Sequence, residues 1–171
     1  MERDLGLLAV GGGRHDGLGT HNRIVPLGDG SFLELLAIAD PQEAHRSVLG
    51  AALQAAIARG NGLLGWAVAV EDLRPVAERL GTPITTVGRQ GMTARLTAVP
   101  ESLAEPCLPF FIERDPARAA RPAAPAIAWI EVAGDAGRLR DWLGGVALAV
   151  RVVDGEPAVR AVGIGERELR T

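Results

Sequence analysis

Three side chains that could take part in chemistry lie close together near the start of the chain. His15 and His21 are two of its three histidines, and Glu34 stands in the middle of the apolar run FLELLAI. A carboxylate inside an apolar strand is costly to bury unless something compensates it. Carboxylates and imidazoles can accept protons or ligate metal ions. Glu34 is therefore the first candidate functional residue.

These residues belong to a predicted β-hairpin. Residues 20–27 and 32–38 are typical of strands, and Gly28-Asp29-Gly30 between them predicts a turn. With a two-residue turn, His21 and Glu34 share one face of the sheet but lie about 13 Å apart. With a three-residue turn they lie on opposite faces. In neither register can both bind one ion directly.

The polar residues around the hairpin have two interpretations each. His21 and Asn22 either satisfy backbone groups where the loop enters the sheet or line a ligand pocket. His15, in a Gly-rich loop between Arg14 and Asp16, either faces solvent or takes part in the site, because loops often carry function. His45 is expected on a helix surface beside Arg46.

Strands and helices alternate along the rest of the chain. We expect helices at 41–59, 73–80 and 136–144, and strands at 65–70, 84–87, 93–99, 108–113 and 127–132, with 147–153 and 158–164 forming a hairpin across Asp154-Gly155. The strand–helix–strand–strand order recurs. It predicts an α+β fold built from repeated βαββ(β) modules.

Composition shifts suggest the domain organisation. Residues 1–115 form the first part, which begins at 1–8 with what is predicted to be the end of a helix. The Ala-, Arg- and Pro-rich segment 116–126 is the predicted linker, and 127–171 is expected to complete the same domain as a C-terminal βαββ unit.

Charge and composition exclude several classes of function. The net charge of −3 argues against nucleic-acid binding, and all 18 basic residues are arginines. The lone cysteine, Cys107, excludes an intrachain disulfide and a cysteine-based zinc site. No apolar run reaches the roughly 20 residues that span a bilayer, and no signal peptide is evident. We therefore expect a cytoplasmic protein that associates with neither membranes nor nucleic acid.

The hairpin and two later segments carry a family resemblance. The segments GGRHDGLGTHNRIVPLGDGSFLELLAIADP, GWAVAVEDL and PFFIERD resemble glyoxalase-like domains of the vicinal oxygen chelate (glyoxalase/bleomycin resistance/dioxygenase) superfamily. The resemblance implies curved mixed or antiparallel sheets with helices packed outside, and a small-molecule site in the cup. Similar proteins begin with a further strand that often carries a histidine metal ligand. A missing first strand would leave a sheet edge unpaired, which predicts a homodimer completed by strand exchange.

The same resemblance implies a set of site residues. Glu34 and Glu113 match the strand glutamates of two modules, and would be metal ligands or the catalytic base. The alternatives are that Glu34 faces water and that Glu113, followed by Arg114 and Asp115, forms a surface ion pair. Trp66 or a neighbour replaces an expected histidine. Trp66 and Phe111 either belong to the core or form the wall of an apolar pocket. In the third unit, Trp129 and Glu131 stand where a ligand would be sought.

Two functions remain open at this point. The first is an enzyme that uses one divalent metal (Fe, Mn, Ni, Zn or Mg) for lyase- or isomerase-type chemistry, with His15 or His21 at the rim of the site. The second is a non-catalytic small-molecule binding protein of the same fold, without a metal.

Overall fold

The computed structural model describes residues 7–28, 30–60, 62–89, 91–114 and 125–171. Within them, strands form three sheets and are accompanied by five short helices. The strands are β1 (Val10–Arg14), β2 (Thr20–Pro26), β3 (Phe32–Ile38), β4 (Ala67–Val70), β5 (Ile84–Arg89), β6 (Met92–Thr97), β7 (Phe110–Glu113), β8 (Ile127–Ala133), β9 (Val150–Val153), β10 (Ala158–Ile164) and β11 (Arg167–Arg170). The helices are α1 (Pro41–His45), α2 (Val48–Ala58), α3 (Arg74–Leu80), α4 (Val99–Ala104) and α5 (Ala136–Leu143).

Sheet A contains β1, β2 and β3 in that order, all antiparallel. Pro26 pairs with Phe32, and the Leu27 N–H donates to the Ser31 carbonyl, so the hairpin has the three-residue register. The sequence did not predict β1. This strand is bulged, and Gly12 has a φ of +113° with no room for a Cβ, which would lie 2.0 Å from the Asn22 carbonyl oxygen. Glycine therefore allows β1 to approach β2.

Sheet B has the order β4-β7-β6-β5, with β4 parallel to β7 and the other pairs antiparallel. Helix α2 packs on one face of this sheet, where its apolar residues meet Val87, Leu96 and Phe110. The single helix predicted over 41–59 is two helices. Ser47 is extended, and its hydroxyl accepts the Gly50 N–H, so it ends α1 and caps α2. Residues 98–99, predicted as strand, instead lead into α4.

Sheet C has the order β11-β10-β8-β9. The predicted hairpin between residues 147–153 and 158–164 is wrong, because β9 pairs parallel to β8 while β10 pairs antiparallel to β8. Both strands thus flank β8, whose run IAWIEVA has partners on both edges. The Asp154-Gly155 signal marks a loop here, without strand pairing across it.

Two apolar clusters hold the sheets together. One packs residues of sheet B and α3 against Val132 and α5, and the other packs Val25 and Leu27 of the hairpin against Val162 and Ile164. The C-terminal unit thus contacts both preceding sheets. That residues 127–171 complete the same domain stays a prediction. The predicted α+β fold with recurring strand–helix–strand–strand units is confirmed.

Several predictions fall on other parts of the chain. The helix end predicted at 1–8 lies outside the described residues except for Leu7 and Leu8, and the 116–126 linker lies outside them except for its last two residues. Within the described ranges, no helix is long and apolar enough to cross a membrane. The homodimer stays a prediction, which light scattering at micromolar concentration would check.

Candidate functional site

One face of sheet A gathers polar side chains. Side chains alternate along a strand, so the register places Thr20, Asn22 and Glu34 on the same face. The opposite face carries Val25 and Leu33 into the core. We call the side with Thr20, Asn22 and Glu34 the polar face.

His15 joins this face at the end of β1. Its backbone N–H donates to the Thr20 carbonyl, and its Nδ1 lies 2.8 Å from the Thr20 hydroxyl. Its Nε2 lies 3.7 Å from Glu34 Oε1. His15 is only 8% exposed, so this histidine of the Gly-rich loop is buried. Thr20 and Glu34 fix the orientation of its ring.

Burial also sets the charge of His15. Desolvation is the largest influence and lowers the pKa of the imidazole below its ordinary value of 6.5. The Arg89 cation lowers it further, and the attraction of Glu34 only partly offsets these effects. At neutral pH the ring is therefore uncharged, and one of its nitrogens carries a lone pair.

Asn22 is the structural centre of the polar face. It is 5% exposed, and its Nδ2 donates to Glu34 Oε1 at 2.6 Å. Its Oδ1 accepts from Arg89 Nη1 at 2.8 Å and from the Gly13 N–H at 3.2 Å. A buried amide with this many partners is fixed in orientation. Asn22 therefore holds the Glu34 carboxylate with a neutral donor, and Glu34 remains 34% exposed.

Arg89 reaches the polar face from another sheet. It ends β5 of sheet B, and the preceding Gly88 carbonyl accepts the N–H of Asp16, in the loop between β1 and β2. Sheets A and B thus meet at this corner. The sequence analysis did not identify Arg89, because nothing local in the run ITTVGR indicates a partner 67 positions earlier in the chain.

Arg114 lies over the same face at its other end. Its Cζ is 4.8 Å from the centroid of the Phe32 ring, and Phe32 precedes Glu34 by two positions on β3. Burial lowers the pKa of this guanidinium, and no carboxylate among the described residues pairs with it. In the sequence, Arg114 simply follows Glu113, and nothing local there indicates that it reaches sheet A.

Glu113 has a different setting. Its Oε1 accepts from Arg95 at 2.5 Å, and its Oε2 accepts the Leu73 N–H, where α3 begins, at 3.2 Å. In sheet B, Arg95 lies opposite Glu113 on β7 and opposite Thr86 on β5, so these three side chains share one face. Arg89 is three positions beyond Thr86 on β5, and its side chain therefore extends from the other face. The structure therefore does not bring Glu113 to the Glu34 network. Glu131, on β8, is likewise paired with an arginine, Arg170, at 3.1 Å.

The other predicted site residues lie elsewhere. His21 is exposed and faces away from Glu34, as the three-residue register requires. Trp66 and Phe111 are buried in the cluster shared by sheets B and C, where the Trp66 Nε1–H donates to the Cys107 carbonyl at 3.2 Å. These aromatic residues fill the core there.

The donors present can be compared with what a metal centre needs. An iron or zinc ion bound by histidine and carboxylate needs about three or four protein donors. In the described ranges no three histidine, cysteine, aspartate or glutamate side chains converge. His15 and Glu34 supply two donors, and Glu113 is held by Arg95. The described residues therefore do not form the metal centre expected from the resemblance.

Known proteins provide a context for this geometry. The family model of the glyoxalase-like domain matches residues 1–147. The solved structure of a hypothetical protein from Staphylococcus aureus is similar in fold, with a TM-score of 0.65 and 13% sequence identity over 90% of this chain and 78% of that chain. At that identity the likeness concerns the fold alone. No curated protein matches the sequence.

Proposed function

The chain belongs to the glyoxalase-like domain family, and from this premise we propose that the polar face of sheet A binds a small molecule through Glu34. The observation that carries the proposal is the setting of this carboxylate. It is partly exposed, it is oriented by the buried Asn22 amide, and no arginine among the described residues forms an ion pair with it, while the nearby His15 ring is neutral. A preorganised polar group beside apolar side chains is typical of a small-molecule site.

The apolar part of the site lies next to the carboxylate. Ile24 is opposite Glu34 in the register, and Leu36 and Phe32 are its neighbours on the same face of β3. All three are partly exposed. A ligand could therefore bury apolar surface on them while its polar group meets Glu34.

A fragment screen by protein NMR tests this proposal. We expect bound fragments to shift the side-chain signals of Asn22 and His15, and Glu34→Gln to weaken their binding. Glu113→Gln is the matched control, because it alters a strand glutamate outside the polar face. The proposal fails if fragments instead collect in the shallow groove of about 630 Å³ between α3 and α5, which Arg79 and Trp142 line.

A second candidate function is proton transfer. The contact between the neutral His15 ring and Glu34 favours it, because together they provide two proton-accepting groups 3.7 Å apart. Glu34 would remove a proton from a hydroxyl-bearing carbon next to a carbonyl and return it to the carbonyl carbon, while the hydroxyl proton passes to the carbonyl oxygen. Such an isomerisation consumes no other reactant.

Proton transfer has its own measurement. In D₂O, an enzyme of this kind would exchange the ligand's carbon-bound hydrogen, and Glu34→Gln would abolish the exchange. If a ligand binds without exchange, the protein is a binding module. Elemental mass spectrometry of the purified chain tests the alternative: near one equivalent of metal, lost in Glu34→Gln, would support a metalloenzyme.

A further inference from the structure

Two groups on the polar face have hydrogen-bonding capacity that the described residues leave unused. The Arg114 guanidinium stacks on Phe32 and has no carboxylate partner in the described part of the chain. Arginine has five N–H donors in a planar fork that suits an oxyanion. Where burial weakens its hydration, an anionic ligand is the natural partner.

The complementary group is Glu34. Its Oε1 receives the Asn22 amide, whereas no described residue donates to its Oε2. An ionised carboxylate accepts hydrogen bonds and donates none. A ligand that meets Glu34 must therefore bring a hydrogen-bond donor.

The strand sets the spacing between Glu34 and Phe32, the ring on which Arg114 stacks. Phe32 and Glu34 are two positions apart on the same face of β3, which separates their Cα atoms by about 6.6 Å. Ile24 and Leu36 flank Glu34 with apolar surface. The site thus has an anion-binding end, an apolar side and a donor-binding end.

We propose that the ligand of this face is a small organic acid that carries a hydrogen-bond donor, with its oxyanion on Arg114 and its donor on Glu34. The inference rests on the proposed function and specifies its ligand class. 4-Hydroxybenzoate is a suitable probe because a flat apolar ring separates its carboxylate from its hydroxyl. Benzoate lacks the donor, phenol lacks the anion, and inorganic phosphate tests whether any oxyanion suffices.

Calorimetric titration of the full chain with these four probes tests the assignment. We expect 4-hydroxybenzoate to bind at least about tenfold more tightly than benzoate or phenol. Arg114→Gln should weaken the binding of 4-hydroxybenzoate and leave the affinity for phenol unchanged. Glu34→Gln should weaken the binding of 4-hydroxybenzoate and leave the affinity for benzoate unchanged. Arg151→Gln is the matched control, because Arg151 stacks on Trp129 of sheet C in the same manner, with its Cζ 4.3 Å from the ring centroid.

The outcomes distinguish a failure of the organic-acid assignment from a failure of the proposed small-molecule site. If phenol binds through Glu34 and Arg114→Gln has no effect on any probe, the acid assignment is wrong and the small-molecule site remains. If phosphate competes as well as 4-hydroxybenzoate, Arg114 is a general oxyanion site and the assignment to an organic acid is overturned. If benzoate binds as tightly as 4-hydroxybenzoate, the donor requirement is overturned. If neither these probes nor the screened fragments bind on the polar face, both proposals fail. Thermal unfolding of each variant confirms that it is folded.

Discussion

Glu34 in sheet A and Glu113 in sheet B stand on strands of two related modules, and the resemblance predicts the same role for both. Glu113 is neutralised by Arg95 and accepts the Leu73 N–H at the start of α3. Glu34 is held by a neutral amide and faces a neutral imidazole. A strand glutamate that pairs with an arginine and accepts the N–H at the start of a helix stabilises the fold. A strand glutamate that is oriented by neutral partners keeps its charge available to a ligand.

Glu131 extends the comparison. It lies in the third module and pairs with Arg170, so two of these three glutamates are arginine-paired. The neutral setting distinguishes Glu34 from both. Four experiments test this distinction, and the largest expected effect comes from the residue that creates the neutral setting.

Asn22→Ala should destabilise the protein by about 2–3 kcal/mol. The substitution removes hydrogen bonds to Glu34, Arg89 and the Gly13 N–H, and leaves these partly buried groups without a partner. Urea unfolding measures the change in the free energy of unfolding. Gln42→Ala, which alters an exposed amide on α1, should stay within about 0.5 kcal/mol. Equal effects of the two variants would contradict the central role of Asn22.

Glu34→Gln should weaken the binding of 4-hydroxybenzoate about tenfold, equivalent to about 1.4 kcal/mol. The new amide can still accept from Asn22, but the charge that strengthens the ligand's hydrogen bond is lost. Calorimetric titration provides the dissociation constant. Glu113→Gln and Glu131→Gln should change it less than twofold. A loss of affinity in either control would show that the distinction between the glutamates is wrong.

Glu113→Gln should lower the free energy of unfolding by about 1 kcal/mol, and Glu34→Gln by less than about 0.5 kcal/mol. The first loses the attraction of Arg95 at a contact that also receives the Leu73 N–H, whereas the second keeps its neutral partners. Urea unfolding at neutral pH measures both. The reverse order would mean that Glu34 serves stability and that its exposure has no functional meaning.

The smallest effect is a pH dependence. Because burial lowers the pKa of folded His15 below the ordinary 6.5, the unfolded chain binds the proton more readily. The free energy of unfolding should therefore fall as the pH is lowered through about 6.5, and level off below the pKa of folded His15. His15→Gln should reduce this slope between pH 7.5 and 5.5, while His45→Gln, an exposed residue on α1, leaves it in place. An unchanged slope in His15→Gln would overturn the assigned cause.

The sequence predicted those parts of the fold that depend on residues close together in the chain. Alternation and turn residues located the hairpin and its two possible registers, and the glutamate in FLELLAI indicated the candidate site. The pairing of β9 with β8 was missed because strand order depends on contacts between segments that are distant in the sequence. The break at Ser47 was missed because its cap competes with a helical pattern that continues on both sides. Arg89 and Arg114 could not be predicted as site residues, since only the packing of sheets brings them to the polar face. Glu113, predicted to belong to the same site as Glu34, lies beside Arg95 and the Leu73 N–H for the same reason.

The contact between Arg89 and Asn22 also bears on how the protein folds. It joins residues 67 positions apart, so a long loop must close before the amide is fixed. We expect this contact to form late, after each sheet has its own hydrogen bonds. A ligand on the polar face would then slow unfolding while leaving the rate of folding nearly unchanged. A bound ligand would lengthen the lifetime of the native state, so resistance to proteolysis would report whether the polar face is occupied.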